Sequence, residues 1–254
     1  MRSVYFRRPE VKKQNGKLTL GEVNFLRSEL WFSLEGLYKI LDNAFWLNKT
    51  EDIRRAENKI FQLLLAKEIG FEIPASIITN HPSSAFTFYS NHNHSCVIKP
   101  IKSGLVESNQ EEGVIFTSKL ELDTDNVSRI KDCPVYLQHL VEKKADIRIT
   151  IVGSAIFAAK IHSQENTESI IDWRKSIIPL KYSIFKLPRE IIDKCLELSK
   201  RLHLNFGAID MILDTDDKLI FLEINPNGQW AWIERQLNFP IAETITNLLI
   251  EKAN

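Results

Sequence analysis

The chain has 254 residues, of which 44% are hydrophobic and 26% are charged, so it is long enough for a sizeable core and too apolar for a disordered protein. Its 33 Lys and Arg residues balance 33 Asp and Glu residues, which predicts no general affinity for nucleic acid or for an anionic membrane surface. Three widely spaced cysteines argue against a disulfide framework, and no apolar run approaches the roughly 20 residues of a membrane helix. The first residues lack the apolar core of a signal peptide, so we expect a cytoplasmic protein.

The first part of the chain is predicted to be helical. Residues 1–20 are polar and show little periodicity. Leucines recur at helical spacing over residues 26–41, which predicts a helix with the leucines on one stripe. A second helix is predicted to begin at Asn48, with Glu51 as its capping-box partner, and to end at Gly70.

The remainder of the chain alternates short strands with helices. Strand candidates are residues 75–79, 95–100, 114–117 and 135–141, and hairpins are predicted over residues 147–161 and 206–225. A polar loop is predicted over residues 101–113, and helices are expected after Pro188 and after Pro240. Because this alternation has no strict β-α-β rhythm, it predicts an α+β fold in two lobes.

The hairpin over residues 206–225 is the most informative segment. A two-residue turn at Asp216 and Asp217 would place Asp210 directly opposite Glu223, with Asn225 on the same face, whereas a longer turn would shift this register. At about 5 Å and an effective dielectric constant near 20, two facing carboxylates repel by about 3 kcal/mol, which a divalent cation would offset. The alternative is a surface hairpin whose acids point into water. The apolar strands around both acids and the irregular exit after Asn225 favour the metal site.

Six motifs share their order and spacing with one protein family from about residue 7 to the carboxyl terminus. They are Asn58-Lys59, Val97-Ile-Lys99-Pro, Ala145-Asp-Ile-Arg148, Asp172-Trp-Arg174, Phe206-Gly-Ala-Ile-Asp210 and Phe221-Leu-Glu-Ile-Asn225-Pro-Asn-Gly-Gln-Trp230. Together they resemble the ATP-grasp ligases, most closely the graspetide (microviridin-type) peptide ligases with their grasp-with-spasm branch. The resemblance implies an α+β ATP-grasp fold whose two lobes grip a nucleotide. It divides the chain into an amino-terminal remnant with a connecting helix (1–47), a first lobe (48–135) and a second lobe with the metal-binding hairpin (136–254).

The same resemblance assigns the metal and catalytic residues. Asp210, Glu223 and Asn225 are expected to hold the Mg²⁺ ions that bridge the phosphates of ATP. Arg148 is expected beside the transferred phosphate, where a positive charge stabilises the transition state. Without the family resemblance, an arginine at position 148 would more often be an ion-pair partner of Asp146 or of another neighbour.

Nucleotide and substrate contacts are also implied by the family. The residues expected to bind ATP are Lys99, Ser103, Gln138, His139, Leu140 and Lys160, although the sequence leaves open which face Lys160 occupies. Asp172, Trp173 and Arg174 are expected near the acceptor peptide, with Arg174 also counted as catalytic because it could pair with an acidic side chain. Lys59 is expected to be an exposed helix lysine.

The implied activity is ATP- and Mg²⁺-dependent peptide ligation. Asp or Glu side chains of a ribosomal precursor peptide would be activated as acyl phosphates and joined to Ser, Thr or Lys as ω-esters or ω-amides. Two alternatives stay open, a ligase for a small-molecule or amino-acid acceptor and a non-catalytic subunit that binds nucleotide or leader. Because the chain begins near the last strand of the family's usual amino-terminal domain, the expected partners are a precursor peptide with its leader and either a second copy or a chain supplying that domain.

Overall fold

Two antiparallel sheets with helices packed against them form the framework of the computed structural model, which describes residues 2–7, 9, 18–102, 104–107, 112–123 and 125–252. The helices are α1 (Leu20–Ile40), α2 (Thr50–Ala56), α3 (Lys59–Ile69), α4 (Pro82–Asn91), α5 (Arg189–Arg201), α6 (Ala231–Leu237) and α7 (Ile241–Glu251). The strands are β1 (Ser3–Val4), β2 (Phe45–Trp46), β3 (Ser76–Thr79), β4 (Cys96–Lys99), β5 (Leu105–Glu107), β6 (Glu112–Val114), β7 (Ser118–Lys119), β8 (Val135–His139), β9 (Lys143–Val152), β10 (Ala155–Ile161), β11 (Tyr182–Ile184), β12 (Phe206–Asp214) and β13 (Leu219–Asn225). Short 3-10 turns lie at Val127–Asp132, Ser163–Glu165, Thr167–Ser169 and Trp173–Lys175.

The first sheet has four strands in the order β3-β8-β4-β7. Side chains alternate between its two faces, so Ile98 and Leu137 point to one side and Lys99 and Tyr136 to the other. The Leu137 side packs against α4 through Ala85. The Lys99 side is left facing the second lobe.

The second sheet has five strands in the order β11-β10-β9-β12-β13, all antiparallel. Isoleucines 147, 149 and 151 alternate along β9 and form one core with α3 and α5. Residues on the opposite face, such as Phe206, pack against α6 and α7. The predicted α+β fold with two lobes is confirmed.

The helix predicted over residues 48–70 is two helices, α2 and α3. Asn58 interrupts it, because its side chain accepts a hydrogen bond from the Phe61 amide at 3.0 Å and caps α3. Gly70 ends α3 as predicted, with φ of 94°. Both helices contribute to the core of the second sheet. The predicted start of the first lobe at residue 48 stays a prediction.

Asn48 does not cap α2, which begins at Thr50, and the predicted capping box is wrong. Its side chain is buried and donates to the carbonyls of Phe206 (2.8 Å) and Pro226 (2.9 Å). Its oxygen accepts from the amides of Asn205 and Phe206. Asn48 therefore connects the start of β12 to the loop that follows β13. Because a buried side-chain amide must have its hydrogen bonds satisfied, these four bonds outweigh the local preference of Asn48 for capping a helix.

The hairpin of β12 and β13 has the predicted pairing of Asp210 with Glu223, but its turn differs from the prediction. Its turn is one residue longer than predicted, because Asp214 pairs with Lys218, and Asp217 in that turn adopts the left-handed conformation with φ of 63°. This turn alone would place Asp210 opposite Leu222. A β-bulge between Asp210 and Met211 absorbs the extra residue, and Asp210 faces Glu223 as predicted.

Helix α1 begins with the capping box of Thr19 and Glu22, and its presence is confirmed. None of its residues is buried, and Leu30 and Leu37 of the predicted leucine stripe are 44% and 48% exposed. Within the described ranges, no helix combines the length and the apolar character that crossing a membrane requires.

Residues 101–117 also fold differently from the prediction of a polar loop followed by a strand. Two short strands, β5 and β6, pair with each other inside the predicted loop. Of the strand predicted at 114–117, only Val114 belongs to a strand, β6, and residues 115–117 link β6 to β7. The reason is the close approach of the Ile115 backbone to Gly104, whose carbonyl accepts from the Ile115 amide at 2.6 Å.

Candidate active site

A cavity of about 320 Å³ lies between the two sheets. Ten of the predicted site residues line it, and these are Lys99, Gln138, His139, Leu140, Asp172, Trp173, Arg174, Asp210, Glu223 and Asn225. They come from four parts of the chain that are far apart in sequence. Both sheets turn polar side chains toward the cavity, whereas their other faces pack against helices.

A row of charged residues crosses three neighbouring strands, and two of its members, Asp210 and Glu223, line the cavity. Arg148 on β9 lies opposite Asp210 on β12, which in turn lies opposite Glu223 on β13. Arg148 Nη1 donates to Asp210 Oδ2 at 2.8 Å, and its Nη2 donates to the carbonyl of Gln229 at 3.3 Å. Arg148 therefore pairs with Asp210, while Asp146 pairs with Lys143 at 2.7 Å.

A glycine lets the exit of β13 pass close to this arginine. A Cβ atom at Gly228 would lie 2.3 Å from Ala208 Cβ and 2.7 Å from Arg148 Nη2, too close for any other residue. Glycine is required here because the backbone itself packs against the guanidinium. The backbone of this loop therefore packs against the Arg148 guanidinium and restricts its position.

Glu223 is surrounded by cations from other elements. Lys59 Nζ lies 3.2 Å from its Oε2 and also donates to the carbonyl of Pro100, and Arg174 Nη1 lies 3.9 Å from its Oε1. Burial opposes ionisation of Glu223, but Lys59, Arg174 and Lys99 outweigh it and hold the pKa of its carboxyl below the usual value. The expectation that Lys59 is an exposed helix lysine is wrong, because the start of α3 is turned into the cavity.

The two facing acids differ in their electrostatic environment. Burial raises the pKa of Asp210 despite the neighbouring Arg148, and the charge of Glu223 raises it further. The protein's own cations therefore offset much of the repulsion that the sequence predicts between these acids. Asn225 lies two residues beyond Glu223 on the same face, and its Oδ1 accepts from the Asn227 amide at 2.9 Å, which orients the oxygen.

This donor set fits a magnesium ion shared with phosphates. Among the described residues, no group of three or more His, Cys, Asp or Glu side chains could enclose a metal. Two carboxylates and one amide oxygen suit Mg²⁺ instead, which usually takes one or two carboxylates and completes its shell with water and substrate phosphates. Asp210, Glu223 and Asn225 would supply those protein ligands.

Lys99 projects into the cavity from the first sheet. Its Nζ donates to Gln138 Oε1 at 2.7 Å, and the Gln138 amide donates to Ser76 Oγ at 3.0 Å and to Tyr136 Oη at 2.8 Å. Burial lowers the pKa of Lys99 to about 8, although Glu223 opposes the shift. The Gln138 side chain therefore orients Lys99, a role that the sequence did not predict for it.

His139 is the last residue of β8, and Leu140 follows it along the cavity. Their amides donate to the carbonyls of Ala75 and Ser95, each at 2.9 Å. Both backbone amides are therefore already bonded to the residues that precede β3 and β4. The His139 ring lies 5.1 Å from the His92 ring, and burial together with His92 lowers the pKa of His139.

The Asp172-Trp173-Arg174 turn lies on the opposite side of the cavity. Arg174 donates from Nε and from Nη2 to the two oxygens of Asp172, each at 2.8 Å, and the Thr117 amide also donates to Asp172. Burial opposes the charge on Asp172, but these hydrogen bonds hold its pKa below the usual value. The Trp173 ring packs 5.2 Å from the ring of Trp232. Asp172 thus fixes the guanidinium of Arg174 and leaves Nη1 directed toward Glu223.

Comparisons with known proteins identify the family of this chain. Residues 55–249 match the RimK-like ATP-grasp domain. The chain belongs to this family. The predicted resemblance to the ATP-grasp ligases is confirmed, and ATP and Mg²⁺ are the predicted cofactors that the family supports.

Two solved structures are similar over nearly the whole chain. The macrocyclase MdnC of Microcystis aeruginosa MRC, bound with the precursor peptide MdnA, is 33% identical with a TM-score of 0.87, and the match covers 98% of this chain and 79% of that one. The Chryseobacterium gregarium RiPP-associated ATP-grasp ligase, in complex with ADP and a leader and core peptide, is 32% identical with a TM-score of 0.89, covering 99% and 77%.

Matches to curated proteins are weaker. A probable alpha-L-glutamate ligase of Vibrio vulnificus is 22% identical over 214 residues, which are 83% of this chain and 68% of the ligase. The uncharacterized protein MG012 of Mycoplasma genitalium is 30% identical over 109 residues. That match spans 43% of this chain and about a third (34%) of MG012.

One predicted nucleotide contact, Lys160, is not brought to the site. Lys160 on β10 lies opposite Ile147, so it shares the face of the sheet that carries the core and not the face of Arg148. This register corrects the prediction that Lys160 contacts phosphate. Ser103 lies outside the described residues.

Two lysines in the site were not predicted. Lys59 contacts Glu223, and Lys143 lines the cavity and forms a buried ion pair with Asp146. The Asn58-Lys59 motif was a usable signal for the first, whereas no sequence pattern distinguishes Lys143 from the adjacent Lys144.

Proposed function

We propose that this chain is an ATP- and Mg²⁺-dependent peptide ligase that crosslinks Asp or Glu side chains of a ribosomal precursor peptide. The observation that carries the proposal is one cavity in which Asp210, Glu223 and Asn225 face Lys99 and the Asp172-Trp173-Arg174 turn. The two similar structures with peptide bound support the peptide as substrate. A second copy or a chain supplying an amino-terminal domain, and a cytoplasmic location, stay predictions.

The reaction has two steps. The γ-phosphoryl group of ATP transfers to a side-chain carboxylate of the peptide, giving an acyl phosphate and ADP. A Ser or Thr hydroxyl or a Lys amine then attacks the acyl carbon, its proton is lost, and phosphate leaves with formation of an ester or amide. Mg²⁺ bound at Asp210, Glu223 and Asn225 would neutralise charge on the nucleotide phosphates.

The protein's own contribution is to position charges. Lys99 projects from the first sheet and Lys59 from the start of α3, and both would bind phosphate oxygens as compact point charges. Arg148 is immobilised by Asp210 and the Gln229 carbonyl, so its positive charge is preorganised for the transferring group. Arg174 is held by Asp172, and its Nη1 would pair with the carboxylate of the peptide.

The binding of nucleotide is expected to depend on the charge of Lys99. With a pKa of about 8, this group is charged below pH 8 and neutral above it, and phosphates favour the charged form. We therefore expect ADP affinity to be constant up to about pH 7 and to fall by up to about tenfold per unit above pH 8. Titration calorimetry with ADP over this range measures the dependence.

Lys99→Arg is the matched control for this prediction, because a guanidinium stays charged over the whole range. The variant should bind ADP with little change between pH 7 and pH 9. The same fall in affinity in both proteins would show that another group controls the dependence.

Peptide ligation is tested by mass spectrometry. The protein is incubated with ATP, Mg²⁺ and each short peptide encoded beside its gene, and loss of one water per crosslink is expected. No water loss from any candidate would contradict the proposal. Release of ADP with amino-acid or amine acceptors alone would instead indicate a small-molecule ligase, and a Mg²⁺-dependent nucleotide shift in melting temperature without turnover would indicate a binding subunit.

A further inference from the structure

The outer edge of β13 is held by a side chain of α3. In the part of the chain that the structure describes, β13 is the last strand of its sheet, and β12 pairs with its inner edge. Gln62 occupies the outer edge at Ile224. Its Nε2 donates to the Ile224 carbonyl at 2.8 Å, and the Ile224 amide donates to its Oε1 at 3.0 Å. A primary amide can do this because it carries both a donor and an acceptor, as a neighbouring strand does.

Gln62 is itself fixed in one orientation. Its side chain is buried, with 2% of the residue exposed, and its Nε2 also donates to the carbonyl of Ala56 at the end of α2. A buried amide with three partners cannot rotate without leaving polar groups unpaired. The side chain therefore acts as a rigid link between α2, α3 and β13.

The strand segment that Gln62 grips lies between two proposed cation ligands. Glu223 and Asn225 flank Ile224, so their side chains point into the cavity while Ile224 points into the core. The β-bulge that restores the Asp210–Glu223 pairing lies immediately before this segment. Because a bulge disrupts the ladder locally, pairing with β12 constrains this end of β13 less than a regular ladder would.

We propose that Gln62 is a positioning residue of the cation site. By bonding both backbone groups of Ile224, it sets the position of the strand from which Glu223 and Asn225 reach the cation. This inference rests on the proposed function for the role of those two ligands. Gln62 touches neither the cavity nor the cation, so its effect would pass through the backbone of β13.

The variant Gln62→Met tests the proposal, because it keeps the length of the side chain and removes both hydrogen bonds to Ile224 together with the one to Ala56. Groups that orient metal ligands typically contribute 10- to 100-fold to metal affinity. We expect calorimetry to show ADP binding in the presence of Mg²⁺ weakened by about 10- to 100-fold, and metal-free ADP binding changed by less than about threefold. Hydrogen exchange of the Ile224 amide should accelerate in the same variant.

Leu65→Ala is the matched control, because Leu65 is buried on the same helix and has no hydrogen bond to β13. It should lower the melting temperature and leave the Mg²⁺ dependence of ADP binding unchanged. Gln62→Glu is a second variant in case Gln62→Met does not fold. It keeps the acceptor for the Ile224 amide, loses the donor, and should also weaken binding selectively when Mg²⁺ is present.

The proposal is overturned if a folded Gln62 variant keeps the wild-type Mg²⁺ dependence, or if Leu65→Ala loses it equally. It is also overturned if ADP binding by the wild-type protein is indifferent to Mg²⁺. These measurements use no peptide. A wild-type protein that binds ADP in a Mg²⁺-dependent manner but closes no crosslink would contradict the proposed function and leave the role of Gln62 intact.

Discussion

Glu223→Gln is expected to lower ATP turnover by about 100- to 1,000-fold, the range that follows removal of one charge-stabilising group from an active site. The amide keeps the size of the side chain but lacks the charge that a cation needs. It also removes the partner of Lys59, which lies 3.2 Å from the carboxylate. Turnover is measured as ADP released with peptide present.

The same variant should be slightly less stable than the wild-type protein at neutral pH. The pKa of Glu223 is lower in the folded protein than in the unfolded chain, so its ionised form contributes stability above the unfolded pKa. That contribution is lost as the pH falls through the folded pKa, and the glutamine variant lacks it at every pH. Thermal unfolding at neutral and acidic pH should therefore show a difference that disappears under acid.

Asp217→Asn is the control for Glu223→Gln. Asp217 lies in the turn of the same hairpin, is exposed, and pairs with Lys144 at 2.8 Å. An exposed pair of this kind contributes about 0–1 kcal/mol, so turnover and melting temperature should remain close to wild type. Wild-type turnover in Glu223→Gln would remove this carboxylate from the mechanism.

Arg148→Lys is expected to reduce kcat by about 100-fold while changing the affinity for ADP by less than about threefold. The charge is kept, but a lysine cannot donate to Asp210 and to the Gln229 carbonyl in the same fixed geometry. The positive charge would then no longer be held where negative charge develops. Steady-state kinetics give kcat, and calorimetry gives the affinity for ADP.

Arg189→Lys provides the comparison for this second variant, since Arg189 is exposed on α5 and pairs with Asp193. It should change neither quantity. If Arg148→Lys loses affinity for ADP and keeps kcat, Arg148 binds the ground state and does not stabilise the transition state.

Local patterns were sufficient for much of the second lobe. The apolar strands around Asp210 and Glu223 predicted the hairpin, and the family motif identified the acids, Lys99 and Arg174. The prediction that Asp210 faces Glu223 is confirmed, but the reasoning for it was incomplete. The turn is longer than expected, and a β-bulge compensates for the extra residue. A bulge depends on how neighbouring strands pack, which the sequence of one hairpin does not show.

Residues whose roles depend on distant partners were misjudged. Asn48 has the sequence of a helix cap, yet its four hydrogen bonds reach Asn205, Phe206 and Pro226. Lys59 was expected to be an exposed helix lysine and Gln62 was given no role, yet both contact β13.

Composition, periodicity and motif spacing are properties of neighbouring residues, and they were enough to establish the α+β class, helices α1, α5 and α7, and the acidic hairpin. The face of β10 that carries Lys160, the partner of Arg148 and the grip of Gln62 on Ile224 arise from contacts between segments far apart in the chain. Such contacts depend on strand register and helix docking. A shift of one residue in strand register moves a side chain to the opposite face of the sheet, and a change in helix docking brings other side chains into contact. These features therefore required the folded structure.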